Sequence, residues 1–168
     1  MSGTQSRVWR FGDNIDTDVL APGIYMKRPI DEIARHCLEA VQPRFALDVR
    51  SGDVVVAGRN FGMGSSREQA VQALVALGIS AILAKSFGGI FHRNALNHGL
   101  LALVCAETDR LRQADRVRID GVKGEIINES SGEVLACEPL PSHLLAMIAD
   151  GGLVPHLEKR FQRQEGPS

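Results

Sequence analysis

Three short apolar runs constrain this chain more than any other feature of it. "VVVA" occupies 54–57, "AILA" 81–84 and "LLALV" 100–104. None alternates with polar residues, so each reads as a strand covered on both faces. Two segments with helical spacing separate them. From about Ser66 to Leu77, Ala70, Leu74 and Leu77 share one face, and Gly78 is placed to stop the helix. "GGIFHRNALNHG", 88–99, reads as a shorter helix with Gly99 as its stop. This β-α-β-α-β order predicts an α/β fold, with a parallel or mixed sheet covered by helices.

The flanks extend the pattern. "VWRF", 8–11, is a strand candidate followed by a loop rich in Asp and Asn. "PIDEIARHCLEAV", 29–41, reads as a helix: Pro29 suits its first turn, acids follow, and Ile33, Cys37 and Val41 share a face. After Arg116 the pattern changes. "RVRID", "GEIINE" and "GEVLACEPL" are short strands separated by turn signals, which predicts a β-meander. "PSHLLAMIADGG" is a last helix stopped by Gly151, and the polar tail, 160–168, is expected to fray. One domain over 1–168, with a β-rich C-terminal half, is the simplest account.

Composition excludes several function classes. A formal net charge of -1 is unlike the basic balance of a nucleic-acid binder. No apolar stretch approaches the ~20 residues of a membrane span, and the N-terminus lacks a secretory apolar core. Cys37, Cys105 and Cys137 are far apart and odd in number, which suits reduced thiols in a cytoplasmic protein. There is no CxxC and no HExxH, so no metal site is expected on this chain.

The chemistry concentrates in "NFGMGSSREQA", 60–70. Ser65-x-x-Glu68 and Ser66-x-x-Gln69 each match a capping box, which would make this an ordinary helix start. An anion site is the competing reading. Two adjacent serines exceed what one cap needs, Gly62 and Gly64 leave the backbone bare, and Arg67 adds a cation to a positive helix end. From Gln69 to Ala106 there is no acidic residue, while Lys85, His92, Arg93 and His98 fall within that stretch. The loop matches neither a Walker motif nor a Rossmann fingerprint, and GxSxG is absent. A small polycarboxylate is therefore the expected anion.

These residues resemble the serine-loop motif of the aconitase superfamily, a Gly-x-Gly-Ser-Ser-Arg-Glu turn. "GDNIDTDVLAPGIYM" is similar to the family's N-terminal Asp-Thr-Asp loop, and "SFGGIFHRNALNHGLLAL" to its Asn-rich segment. With "GGLVPHL", the resemblance covers nearly the whole chain. It implies a three-layer β/β/α swivelling domain and, at this length, the small subunit of a two-chain isomerase of the 3-isopropylmalate dehydratase type. The implied reaction interconverts 2-isopropylmalate and 3-isopropylmalate by dehydration and rehydration, in leucine biosynthesis. The resemblance also implies a [4Fe–4S] cluster on a large partner subunit, whose open iron takes the leaving hydroxyl. The complex would be a heterodimer or heterotetramer; this chain alone would be inactive, though able to form a homo-oligomer.

The resemblance further implies roles for individual residues. Ser65 matches the base that takes the carbon-bound proton. Gly64, Ser66 and Arg67 would grip a substrate carboxylate, and Asp16, Thr17 and Asp18 would line the same pocket. Arg93, Asn94 and Asn97 would support the serine loop, while His92 and His98 would lie at the surface or an interface. Two positions depart from the family: Met63 replaces its usual Cys and Gln69 its usual His. Residues 23–28 resemble the loop that reads the substrate side chain. Lys27 and Arg28 there would suit an extra carboxylate, as in homoaconitate or citrate-like substrates, better than an alkyl group. Dimethylmalate is a further alternative substrate. A non-catalytic anion-binding or regulatory module is the alternative of a different class.

Overall fold

The structure, a computed structural model, describes residues 6–164. In chain order its strands and helices are β1 (Ser6–Arg10), α1 (Thr17–Leu20), α2 (Ile30–Ala34), α3 (Phe45–Asp48), β2 (Val54–Ala57), α4 (Gln69–Ala76), β3 (Ala81–Ala84), α5 (Gly89–Asn97), β4 (Leu101–Val104), β5 (Arg116–Asp120), β6 (Glu125–Asn128), β7 (Val134–Ala136), α6 (Ser142–Ala149) and α7 (Leu153–Gln164). The strands form one seven-stranded sheet in the order β4-β3-β2-β1-β5-β6-β7. β1 to β4 are parallel, whereas β5 pairs antiparallel with β1 and begins an antiparallel meander. The mixed α/β architecture expected from the apolar runs is present.

The runs lack polar alternation because the sheet has a core on each side. Val55, Ile82 and Ala102 belong to one cluster with the helices. Their strand neighbours Val54, Val56, Ala81, Leu83 and Leu103 belong to another, shared with Val117, Ile126 and Leu135 of the meander. The sheet thus curls so that its antiparallel half covers one face of its parallel half, and helices cover the other. This is the β/β/α layering.

Several boundaries differ from the sequence reading. The helix expected over 29–41 ends at Ala34. Leu38 takes a left-handed φ of 62° and donates its N–H to the Val19 carbonyl at 3.0 Å, with its side chain fully buried. The left-handed backbone costs about 1–2 kcal/mol; burying a leucine returns about 1.5–3 kcal/mol. Burial wins, and Val41, expected on the buried face, is exposed. The tail expected to fray is helical as far as Gln164. Asp150, at the end of α6, holds this helix through His156 Nδ1 at 2.7 Å and Lys159 Nζ at 3.0 Å. Residues 165–168 lie outside the described residues.

Candidate active site

The loops that follow β1, β2 and β3 meet at the carboxyl ends of these parallel strands, where open α/β sheets hold their ligands. Backbone hydrogen bonds stitch the three loops together. Gly62 donates to the Ile15 carbonyl at 2.7 Å, Thr17 to Met63 at 2.9 Å, and Gly88 to Phe61 at 2.8 Å. The serine loop is therefore held from both sides by irregular backbone.

Both loop glycines have a stated steric reason. Gly62 (φ 79°) lies so close to α5 that an added Cβ would stand 2.1 Å from Phe91 Cγ. Gly64 (φ 113°) would place one 2.9 Å from Thr17 Oγ1. The glycines thus permit left-handed backbone and tight packing of the loop on its neighbours, besides leaving the backbone bare.

Neither serine caps the helix. α4 starts at Gln69, its N-cap is Glu68, and no side chain caps it. Ser65 turns instead to Thr17 and Arg67. The Ser65 N–H donates to Thr17 Oγ1 at 3.1 Å, and the two hydroxyls lie 3.3 Å apart. Arg67 Nε donates to Ser65 Oγ at 2.8 Å. The guanidinium is pinned further by Nη1, which donates to the Ala21 carbonyl at 2.8 Å and to Asp18 Oδ1 at 3.3 Å. Thr17 is buried, whereas Ser65 and Ser66 are exposed. The N–H groups of Ser66, Arg67, Glu68 and Gln69 have no acceptor among the described residues. An open hydroxyl beside a guanidinium and a row of unspent N–H donors can bind a carboxylate and stabilise an oxyanion.

The other expected residues divide. Asp16 accepts the Val19 N–H at 2.8 Å and so caps α1, the helix that presents Thr17 and Asp18. Asn94 Nδ2 reaches the Ser66 carbonyl at 3.5 Å. Arg93 and Asn97 make no hydrogen bond to the serine loop among the described residues; both line a groove of about 320 Å³ between α5 and α6. Lys27 and Arg28 follow the 3-10 turn Gly23–Tyr25 and are exposed. Arg28 faces Glu32 at 3.5 Å. The cations of the acid-free stretch do not gather here. Lys85 pairs with Asp109, His98 lies 3.6 Å from Glu68, and His92, expected at the surface or an interface, is half-buried with its ring Nε2 3.0 Å from the Ala102 carbonyl. The Ala21 carbonyl was not legible, because an anchoring backbone oxygen leaves no mark in side-chain identity.

Cofactor capacity can be judged from the thiols. Cys37 sits in the helix-side core and Cys105 in the core between the sheet halves, so they lie on opposite faces of the sheet. Burial raises the pKa of both. Cys137 packs against the second core, and burial raises its thiol to about 11. The three cannot converge on an iron–sulfur cluster, and no group of three or more metal-binding side chains occurs among the described residues. Likewise, no described helix is long and apolar enough to cross a membrane.

A curled α/β sheet with an open Ser-Ser-Arg loop at its carboxyl edge defines a class, and comparison with known proteins agrees. The aconitase C-terminal domain family matches residues 30–108. 3-Isopropylmalate dehydratase small subunit 1 of Archaeoglobus fulgidus is 49% identical, over 94% of this chain and 98% of that one. The methanogen homoaconitase small subunit of Methanothermobacter thermautotrophicus is 48% identical, over 92% and 91%. The crystal structure of 3-isopropylmalate dehydratase from Methanocaldococcus jannaschii superposes with a TM-score of 0.89 at 42% identity, covering 96% of this chain and 98% of that one. The chain belongs to the 3-isopropylmalate dehydratase small-subunit family of the aconitase superfamily.

Proposed function

We propose that this chain is the small subunit of a two-chain hydro-lyase that interconverts 2-isopropylmalate and 3-isopropylmalate, in the cytoplasm, as a step of leucine biosynthesis. One observation carries the reading: Ser65 is an exposed residue, yet its Oγ accepts a hydrogen bond from Arg67 at 2.8 Å. A serine hydroxyl is a poor base in water. Here the guanidinium and the nearby N–H groups favour its deprotonated form, so Ser65 can take the carbon-bound proton. Thr17 holds the serine in place from below, because its hydroxyl accepts the Ser65 N–H. Arg67, Ser66 and the N–H row would receive a substrate carboxylate.

Because the thiols of this chain do not fit a cluster, we assign the [4Fe–4S] group to the large subunit. The exposed face of the serine loop is where that subunit would close the pocket. Co-expression with a large subunit, anaerobic iron reconstitution and a hydratase assay test the reading. Turnover of isopropylmalate is expected from the complex and none from the isolated chain.

One observation favours a second substrate. Lys27 is exposed beside the Gly23–Tyr25 turn and has no carboxylate partner among the described residues. A substrate with a further carboxylate, as in homoaconitate, could use it. Assaying both substrates on the same complex decides between them.

A further inference from the structure

Arg67 has three fixed partners, and one differs from the others. Ser65 Oγ and the Ala21 carbonyl are anchored by the fold, and the Arg67 side chain is 26% exposed. Asp18 is 68% exposed at its side chain. Its Oδ1 accepts from Arg67 Nη1 at 3.3 Å and from the Gly23 N–H at 2.9 Å. One carboxylate oxygen thus bridges the anion-binding guanidinium and the first residue of the Gly23–Tyr25 turn. That turn holds Ile24 out into solvent, 83% exposed. Gly23 is close-packed there as well: an added Cβ would stand 3.2 Å from Asp18 Oδ1 and 3.8 Å from Arg67 Nη1.

We propose that Asp18 is a positioning residue that occupies Arg67 until a substrate carboxylate displaces it, and that this exchange releases or resets the Gly23–Tyr25 turn. The inference rests on the dehydratase reading above and deepens it. Nε of Arg67 is engaged by Ser65 and Nη1 by Ala21 and Asp18, which leaves Nη2, so an incoming carboxylate that binds two nitrogens without displacing Ser65 must share Nη1 with Asp18 or take it over. Two carboxylates competing for one half-buried guanidinium repel each other, and the one on a solvent-exposed side chain gives way at least cost. When it gives way, the Gly23 N–H loses its acceptor or follows it. Carboxylate binding at one end of the substrate thereby reports to the turn beside which its side chain would lie. The role expected for Asp18 from sequence, direct substrate contact, predicts the opposite effect of neutralising it.

Two measurements test the exchange. In the first, malate is titrated into the free, full-length ¹⁵N-labelled chain. The Arg67 Nε–H and Gly23 N–H resonances are expected to move together with one midpoint. In Asp18→Ala, Arg67 still responds and Gly23 does not. In the second, the reconstituted complex is assayed. Asp18→Asn is expected to lower KM about two- to fivefold, the range for removing one exposed ionic competitor. Its amide oxygen can still accept the Gly23 N–H, so preference among substrate side chains is kept. Asp18→Ala is expected to lower KM similarly but to erode that preference. A raised KM in Asp18→Asn, or a Gly23 resonance that stays still while Arg67 titrates, overturns the proposal. A wild-type complex without turnover counts against the dehydratase reading, and the resonance experiment on the free chain still decides this one.

Discussion

The serine loop and the polar cavity of the meander are both rich in charge, but their side chains are committed differently. The meander cavity, about 500 Å³, is lined by Asp109, Arg110, Arg112, Asp115, Asn128 and Glu133 among others. Most of these groups are matched to one another or to near neighbours. Arg110 pairs with Glu107 and Glu133, Asn128 Nδ2 donates to Asp115 at 2.9 Å, and Asp109 receives Lys85 and Arg10. The serine loop keeps a hydroxyl open and a row of N–H groups unspent. Capacity for new hydrogen bonds, rather than volume, distinguishes the proposed site.

Mutation can break that contrast, most severely at Ser65. Ser65→Ala should reduce kcat of the reconstituted complex about 10³-fold, the scale of a lost general base, with KM little changed. Retained turnover would remove the base assignment. Arg67→Lys keeps the charge but loses the planar fork that reaches Ser65, Asp18 and Ala21 together, so kcat/KM should fall about 10²-fold in steady-state assays. Gly62→Ala puts a methyl group into Phe91 at a left-handed φ. Calorimetry should show a lower Tm, equivalent to about 1–3 kcal/mol. At the cavity beside the meander, Arg110→Gln should leave turnover within about twofold, since exposed ion pairs contribute little.

A pH titration sharpens the contrast from the other side. Lys85 first, with Arg10 adding to it, holds the Asp109 carboxyl below its ordinary range. A carboxyl depressed in the folded state stabilises it above the unfolded pKa and loses that contribution as pH falls through the lower folded value. Asp109 should therefore titrate below an ordinary aspartate by NMR and lose its contribution to the fold as pH falls through that lower value, and turnover near neutral pH should not depend on it.

Much of this was legible in the chain. The apolar runs announced buried strands because burial on both faces leaves no room for polar alternation. That successive residues of one run enter two different cores was not legible, since both cores ask for aliphatic side chains. α3 and the early end of α2 escaped because Leu38 and Phe45 are placed by tertiary burial rather than by local spacing. At the site, Ser65 and Arg67 stood out because they directly follow Gly62 and Gly64 and precede a helix start, where hydroxyls and a cation can serve an anion. The capping pattern was the misleading part: it fits the spacing, yet α4 begins too late for either serine to cap it. The link from Asp18 to Gly23 depends on a carboxylate reaching a backbone amide, which only coordinates show.

As the base, Ser65 Oγ must face the carbon that loses a proton. A crystal structure of the reconstituted complex with a bound malate analogue measures this directly. The account predicts Ser65 Oγ within about 3.5 Å of that carbon, a near-attack distance, with Arg67 on a carboxylate of the ligand. A ligand whose proton-bearing carbon instead faces a side chain of the large subunit, with Ser65 turned away, would contradict it.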